Sequence, residues 1–202
     1  MRNHGEDAER EYTYTGECGL SMTDAETIQG GVTEMSVHFD FSEAVHILLL
    51  EIYYPIPLSV EDVSVGDGIR GKEGMLVHID TVEAGQITVG ILCADSGIEG
   101  IGELLRIRFR FASYYANGWE TVYLHVTEAD HDELGGEAYP VEIDDAAAIV
   151  YVHAPTTDDV LSIVRWLHFD GAEYAPWYDV TEDGSVTLGD ALVLLRKVMG
   201  LL

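Results

Sequence analysis

Apolar and polar side chains alternate along Thr33-Glu-Met-Ser-Val-His-Phe-Asp-Phe41. The apolar side chains on one side of an extended chain would be Met35, Val37, Phe39 and Phe41. Their polar neighbours on the other side would be Glu34, Ser36, His38 and Asp40. A period of two residues predicts a half-buried antiparallel strand, with one face on a core and the other in water.

The next apolar run, residues 45–54, is followed by Pro55 and Pro57 and holds one acidic residue, Glu51. If Glu51 faces outward, alternate side chains face the core, namely Leu48, Leu50, Ile52 and Tyr54. Ile47, Leu49 and Tyr53 then face outward with Glu51. Leu92 and Tyr123 point the same way if Ile91, Cys93, Val122 and Leu124 fill the core. A soluble monomer has no need to expose such side chains on a strand, so we expect this face to be an interface.

Further short strands are predicted after these two. Their residues are 60–65, 75–79, 86–93, 104–111, 121–126 and 147–152, and residues 12–15 and 19–22 are candidates for a first strand. Glycine-bearing segments separate the strands, and residues 66–68 and 97–102 are interpreted as turns, as is most of 23–31. Many short strands with regular turns predict a mainly β sandwich, not a parallel sheet covered by helices.

Residues 19–152 resemble a cohesin domain in the pattern and order of their strands. The matching segments are Gly30-Gly-Val-Thr-Glu-Met-Ser-Val, Tyr54-Pro-Ile-Pro-Leu-Ser-Val-Glu-Asp-Val-Ser-Val, Val89-Gly-Ile-Leu-Cys-Ala-Asp-Ser-Gly-Ile, Leu104-Leu-Arg-Ile-Arg-Phe-Arg-Phe and Tyr139-Pro-Val-Glu-Ile. The resemblance implies a nine-stranded jelly-roll β-sandwich that receives dockerin modules. The turn after Tyr54 departs from the family's usual Tyr-Asp-Pro.

A second motif, Asp179-Val-Thr-Glu-Asp-Gly-Ser-Val-Thr-Leu-Gly-Asp190, precedes the apolar run that ends at Met199. Its carboxylates occupy positions 1, 5 and 12 of a twelve-residue loop with Gly184 at position 6, which is the spacing of a calcium loop. The expected ligands of one Ca²⁺ ion are Asp179, Thr181, Asp183, the Ser185 carbonyl and Asp190. The alternative is a solvated acidic turn that caps a helix.

The loop differs from an EF-hand at position 12, where Asp replaces Glu, and at position 3, where Thr replaces Asp or Asn. With Asp-Ala-Leu and Leu-Leu-Arg after it, the loop resembles the calcium-binding repeat of dockerin domains. Residues 159–165 align with residues 190–196, as the paired repeats of that family do. The first repeat has apolar residues, Ala148, Val150 and Val152, where ligands would stand, so one ion is expected. Tyr174, Pro176 and Trp177 are expected to pack between the two helices.

The predicted domain organisation follows from these two resemblances. We expect a disordered lead-in at 1–11, a cohesin-like sandwich at 12–152, a connector at 153–157 and a small all-α dockerin-like helix pair at 158–202. The resemblance implies that the sandwich binds partners through Ile47, Leu49, Tyr53, Leu92 and Tyr123. On the helix pair it implies contacts at Leu188 and Gly189 and, through the repeat alignment, at Thr157 and Asp158. The expected partners are dockerin- or cohesin-bearing proteins, with self-association possible.

Composition restricts the classes of partner and the location. Ten Lys and Arg residues stand against 37 Asp and Glu residues, a net charge of -27, so nucleic acid and anionic membrane would be repelled. No apolar run reaches the 18 residues that suggest a membrane-spanning helix. The start of the chain has no signal-peptide pattern, although the resemblance implies a secreted protein. Cys18 and Cys93 could form a disulfide or remain as two free thiols.

No catalytic constellation is recognisable. The eight histidines show no zinc-binding spacing, and adjacent acids such as Asp144 and Asp145 point to opposite faces of a strand. Arg106, Arg108 and Arg110 share one outward face, where we expect ion pairs with the neighbouring strand that carries Glu34, His38 and Asp40. The alternative for these arginines is a basic stripe that binds anions. We therefore expect a non-catalytic extracellular adaptor, and the resemblance implies a role in polysaccharide degradation. The alternative is a carbohydrate-binding sandwich with a structural calcium.

Overall fold

The computed structural model describes residues 18–113, 117–131, 139–168, 178–181, 183 and 185–201. The strands in these residues are β1 (Gly19–Met22), β2 (Ala25–Ile28), β3 (Val32–Val45), β4 (Ile47–Tyr53), β5 (Leu58–Val65), β6 (Met75–Asp80), β7 (Gln86–Cys93), β8 (Ile98–Phe111), β9 (Gly118–His131), β10 (Tyr139–Pro140) and β11 (Ala146–His153). The helices are α1 (Thr157–His168) and α2 (Leu188–Val198). The predicted lead-in at 1–11, Gly184 and the segment with Tyr174, Pro176 and Trp177 lie outside the described residues.

The strands form two sheets. The four-stranded sheet has the order β1-β3-β8-β5, and the seven-stranded sheet has the order β2-β11-β9-β4-β7-β6, with β10 paired to β9. The pairs are antiparallel except for β2 with β11, which is parallel. The two sheets enclose a single large apolar core. This architecture confirms the mainly β sandwich predicted from the turn-punctuated strands.

The core follows the predicted alternation in β3 and β4. In β3, Met35, Val37, Phe39 and Phe41 are buried while their neighbours are partly or fully exposed. In β4, Leu48, Leu50 and Ile52 are buried and Glu51 faces outward. Aromatic rings contact one another in this core, with Phe39 and Phe41 at 5.3 Å and Tyr54 and Phe109 at 5.4 Å between centroids. Each fully buried large side chain contributes about 1.5–3 kcal/mol to folding.

The predicted turn at 97–102 was wrong. Apart from Gly97, this segment belongs to β8, which extends to Ile98 because β3 continues to Val45 and pairs with it there. Gly102 is needed for close packing, since an added Cβ would stand 2.9 Å from the Gly68 Cα and 3.0 Å from the ring of Phe39. The interpretation of 23–31 as turn was also incomplete, because residues 25–28 form β2.

The strand count differs from the expected nine, since the described residues form eleven strands. The first part of the chain is divided into two short strands that pair in different sheets, β1 on β3 and β2 on β11. A strand that crosses from one sheet to the other closes a corner of a sandwich. The two-residue β10 adds a further short pairing on β9.

The sequence left open whether Cys18 and Cys93 form a disulfide, and the structure shows that they do not. Both are free thiols: Cys93 is buried in the core, and the half-buried Cys18 has its Sγ 3.7 Å from the Ser42 hydroxyl oxygen. Within the described part of the chain, neither helix is long and apolar enough to cross a membrane.

Phe109→Ala should lower the free energy of unfolding by about 3–5 kcal/mol, because it leaves a cavity between the sheets at a fully buried position. Ile101→Ala on the same strand is the matched control, since Ile101 is 79% exposed and should change stability by less than about 0.5 kcal/mol. Equilibrium unfolding in urea measures both values. Equal effects of the two substitutions would contradict the assigned facing of β8.

Candidate binding face and candidate metal loop

The outward surface of the seven-stranded sheet, called here the outer face, carries large apolar side chains. Those that are at least 40% exposed are Tyr53, Leu76, Leu92, Trp119, Tyr123, Ile149 and Tyr151. Ile47 and Leu49 are half-buried among them. Scattered exposed apolar residues are ordinary, but so many on one sheet face are typical of an interface.

Strand register arranges these side chains in rows. Leu76 of β6 lies opposite Leu92 of β7, and Leu92 lies opposite Ile47 of β4, so one apolar row crosses three strands. Tyr53 of β4 lies opposite Tyr123 of β9 at the other end of the face. Directly opposed side chains on neighbouring strands are close enough to contact, so each row forms a continuous surface.

Another row is completed by a glycine. Leu49 faces Gly90, and a Cβ added at Gly90 would stand 3.3 Å from Leu49 Cδ2. The Leu49 side chain therefore lies over the glycine, which explains why it is only half-exposed although it belongs to the outer face. Because Gly90 has no side chain, it leaves space on the surface of the sheet for the side chain of Leu49.

The charged groups of the outer face are acidic. None of the seven strands of this sheet contains a Lys or Arg, whereas Glu51, Asp80 and Glu128 lie among its outward positions. The Tyr53 hydroxyl donates a hydrogen bond to the Glu51 carboxylate, and this bond is the main reason that the pKa of Tyr53 is raised. A surface of this kind attracts cationic side chains.

The imidazole of His125 lies within this acidic surface. His125 Nδ1 is 2.9 Å from a carboxylate oxygen of Asp145, and the Val126 amide donates to the same carboxylate at 2.9 Å. The hydrogen bonds from Val126 and His125 hold the pKa of Asp145 below its usual value. Glu51 lies opposite His125 on the neighbouring strand, so carboxylates stand on two sides of the imidazole.

The opposite sheet carries the arginines, and one of the predicted ion pairs with β3 is present, between Arg106 and Glu34. Arg106 Nε lies 3.2 Å from Glu34, and Arg106 also pairs with Glu103 at 2.7 Å. Burial raises the pKa of Glu103, but hydrogen bonds from Ser36 and Arg106 outweigh it, and the net pKa is lowered. Because β8 pairs with β3 as expected, this geometry favours cross-strand pairing over an anion-binding stripe.

The remaining two arginines pair with a strand that the sequence did not suggest. Glu61 of β5 lies 2.6 Å from Arg110 Nε and 3.4 Å from Arg108 Nε. Arg110 also donates to the carbonyl oxygens of Gly30 at 3.2 Å and of Asp179 at 3.1 Å. Arg110 therefore connects the four-stranded sheet to the start of the acidic loop.

The helix pair is packed against one end of the sandwich. Its small core is made of Ile28, Ile163, Val186, Ala191 and Leu194, of which Ile28 belongs to β2. Lys197 Nζ donates to the carbonyl oxygen of Gln29 at 3.3 Å, and burial lowers the pKa of Lys197. Together with Arg110, these contacts attach the helices to the β2–β3 corner.

The two helices begin in the same way. Thr156 precedes α1, and its amide and hydroxyl donate to the Asp159 carboxylate at 2.6 and 2.7 Å. Thr187 is the N-cap of α2, and its amide and hydroxyl donate to the Asp190 carboxylate at 2.7 and 3.1 Å. Each arrangement satisfies free groups at a helix start. The two acids thus occupy equivalent positions, in agreement with the sequence alignment of 159–165 with 190–196.

The acidic loop folds around Asp190, which is fully buried. One carboxylate oxygen of Asp190 accepts the Thr181 amide and hydroxyl, each at 2.9 Å, and the other accepts from Thr187. Burial raises the pKa of Asp190, but these hydrogen bonds lower it more. Asp179 is also buried and accepts the Asp183 amide at 3.2 Å, while Asp183 accepts the Ser185 amide at 3.0 Å.

The donor set of this loop fits a hard cation in its chemistry, since its ligand groups are carboxylate, hydroxyl and carbonyl oxygens. Two of the carboxylates, those of Asp179 and Asp190, are withdrawn from water, and the guanidinium of Arg110 is 4.0 Å from the Asp179 carboxylate. In the described residues, no three His, Cys, Asp or Glu side chains are gathered as a metal cluster. The Asp190 carboxylate accepts hydrogen bonds from Thr181 and Thr187 and completes a capping box at the start of α2.

The structure places the predicted binding residues in two groups. Ile47, Leu49, Tyr53, Leu92 and Tyr123 share the outer face, as their predicted facing requires. Thr157, Asp158, Leu188 and Gly189 are exposed at the first turns of the two helices. The sequence analysis did not single out Leu76, Trp119, Ile149 or Tyr151. Alternation within 75–80 and 146–153 could have found Leu76, Ile149 and Tyr151.

Solved structures with the same architecture are cohesins. The seventh ScaB type I cohesin from Pseudobacteroides cellulosolvens has a TM-score of 0.59 and 18% identity, with 69% of this chain and 95% of that chain covered. A non-cellulosomal cohesin from the archaeon Archaeoglobus fulgidus has a TM-score of 0.53 and 25% identity, covering 68% and 92%. A third cohesin, from Acetivibrio cellulolyticus and solved in complex with a dockerin, has a TM-score of 0.55 and 13% identity, covering 68% and 99%.

The sandwich therefore has the cohesin fold, and the fold predicted from the strand pattern is confirmed to that extent. No family model matches the chain, and no curated protein matches it. The kinship of the helix pair with dockerins stays a prediction.

Asp190→Asn in metal-free buffer should destabilise the helix pair by about 1 kcal/mol, since the neutral amide accepts weaker hydrogen bonds than the carboxylate. Because the folded-state pKa of Asp190 is lowered, the stability it provides is present above the unfolded pKa of about 4 and is lost as pH falls further. Hydrogen exchange of the α2 amides at two pH values measures both effects. Asp183→Asn, at an exposed position, is the control, and an equal response of the two variants would contradict this role.

Proposed function

We propose that this chain is a non-catalytic adaptor whose sandwich binds the helix pair of a dockerin-type module on the outer face. The observation that carries the proposal is the in-register apolar surface of Leu76, Leu92, Ile47, Tyr53 and Tyr123 on a cohesin fold. An amphipathic helix binds such a surface by laying its apolar stripe on it. Several of the structural neighbours were solved in complex with dockerins, which supports a partner of this class.

The second part of the proposal concerns the helix pair. We propose that α1 and α2 form a dockerin-like module, so that one chain carries both a receptor and a ligand for assembly. The equivalent capping acids Asp159 and Asp190 and the shared small core support this interpretation. The proposed setting is extracellular assembly of proteins that degrade polysaccharides, with dockerin- or cohesin-bearing proteins as partners.

The third part is one calcium ion in the loop at 179–190. Asp179, Thr181, Asp183, the Ser185 carbonyl and Asp190 would hold it, and bound calcium would supply a cross-link between the loop and the start of α2. Binding requires the Thr181 and Thr187 hydroxyls to release or share the Asp190 oxygens that they now contact at 2.9 and 3.1 Å. Arg110 would keep Asp179 in place through its hydrogen bond to the backbone.

The alternative function is carbohydrate binding on the same face. It is favoured by four aromatic side chains that are exposed there, Tyr53, Trp119, Tyr123 and Tyr151. Trp119 lies directly opposite Tyr151, and Tyr53 lies opposite Tyr123, so the rings form two pairs on a flat surface. Retarded migration in soluble β-glucan gels, abolished by Trp119→Ala, would support this alternative over the helix-binding function.

Leu92→Asp should abolish capture of dockerins without unfolding the sandwich, because Leu92 is 44% exposed in the middle of the apolar row. The probe is the set of dockerins in the solved cohesin complexes, tested individually by calorimetry. Ile101→Asp on the other sheet is the matched control and should bind as the unaltered chain does. If the intact chain binds none of these dockerins and does not bind the helix pair of another copy, the proposed function is wrong.

Calcium should bind with a stoichiometry of one ion per chain and should protect the α2 amides from hydrogen exchange. Asp190→Ala should weaken binding more than Thr181→Ala, because it removes a carboxylate while the second variant removes a neutral oxygen. Calorimetric titration measures affinity, and chelation should reverse the protection. A titration without heat and without change in exchange would contradict the metal site and leave the capping role of Asp190 intact.

A further inference from the structure

The helix pair presents two equivalent exposed stripes that its own sandwich does not cover. On α2 the stripe consists of Leu188, Leu192, Arg196 and Met199, and on α1 it consists of Thr157, Leu161, Arg165 and His168. Spacings of three and four residues place each set on one side of its helix. Leu161 is 43% exposed and Leu192 is 57% exposed, and they occupy the same position in the repeat alignment.

The stripes and the outer face are complementary in chemistry. Each stripe has an exposed leucine followed one turn later by an exposed arginine, Leu161 with Arg165 and Leu192 with Arg196. The outer face combines apolar rows with carboxylates, and its seven strands contain no Lys or Arg. When two apolar surfaces meet and the charges around them are of opposite sign, the charges select the partner and its orientation.

The dimensions of the two surfaces agree. The eleven residues of α2 span about 16 Å along the helix axis. On the outer face, the six steps from Ile47 to Tyr53 span about 20 Å, and the row from Leu76 through Leu92 to Ile47 crosses about 10 Å. One helix therefore fits along β4 with its stripe on the apolar rows.

A chain cannot join these two of its own surfaces in the observed arrangement. Ile28, Arg110 and Lys197 hold the helix pair at the β2–β3 corner, and only residues 154–156 connect β11 to α1. Leu92 and Tyr123 on the sheet and Leu192 on the helix are all exposed in the same molecule. Both surfaces are thus open to another molecule.

We propose that the helix pair of one copy docks on the outer face of a second copy, so that the chains assemble head to tail. The inference rests on the proposed function, in which this face receives a helix pair, and it adds that the partner is the chain itself. Two different surfaces form such an interface, so the assembly continues until it closes into a ring or ends as a chain.

Sedimentation velocity of the full chain at increasing concentration, with calcium, tests the proposal. The unaltered chain should sediment faster as concentration rises, whereas Leu92→Asp on the face and the double variant Leu161→Asp/Leu192→Asp on the helix pair should each remain monomeric. A mixture of these two variants should form a one-to-one dimer and nothing larger, because it holds one intact face and one intact helix pair. Ile101→Asp should assemble as the unaltered chain does.

The possible results distinguish a failure of this inference from a failure of the proposed function. A chain that stays monomeric at every concentration but binds a dockerin from the solved complexes overturns this inference and leaves the proposed function standing. Monomers that also bind no dockerin overturn both. If the unaltered chain dimerises but a mixture of the two variants does not, the dimer contact is symmetric and the head-to-tail arrangement is wrong. Should Leu92→Asp unfold in a thermal melt, Tyr123→Lys replaces it, since Tyr123 is 57% exposed.

Discussion

The two-residue period of the strands is the constraint on which this molecule depends. The long strands of both sheets place alternate side chains in one shared core, and a shift by one residue would move the buried set of such a strand into water. The inner positions are therefore committed to packing, as in β3, where Met35, Val37, Phe39 and Phe41 are all buried. The outward positions are free of this demand, so their composition reports on function.

The outward surfaces of the two sheets differ in their charged and apolar side chains. On the four-stranded sheet, Arg106, Arg108 and Arg110 are paired with Glu34, Glu103 and Glu61, so the basic groups of this surface are engaged in ion pairs within the sheet. On the seven-stranded sheet, apolar rows stand among carboxylates in strands without Lys or Arg. In a chain with a net charge of -27, this separation leaves one face suited to recognition of a partner with basic and apolar groups.

The helix pair is too small to supply a large core of its own. Among the described residues, five buried apolar side chains form its core, and one of them, Ile28, comes from the sandwich. Small modules of this size usually need a metal or an attached surface for stability. Here the capping acids, the contact with Ile28 and the hydrogen bonds from Arg110 and Lys197 supply that support. The same contacts connect the acidic loop to the sheet opposite the outer face.

The sequence by itself determined which faces of β3 and β4 are buried and that the fold is a mainly β sandwich. It also determined the repeat that places Asp159 and Asp190 at equivalent helix starts. Each of these features depends on the spacing of residues within a short segment. Tertiary structure alone decided that Leu76, Leu92 and Ile47 form one row, that Gly102 belongs to a strand and that Arg110 reaches Asp179. These features depend on the register between strands and on packing between segments distant in the chain, which local periodicity does not encode.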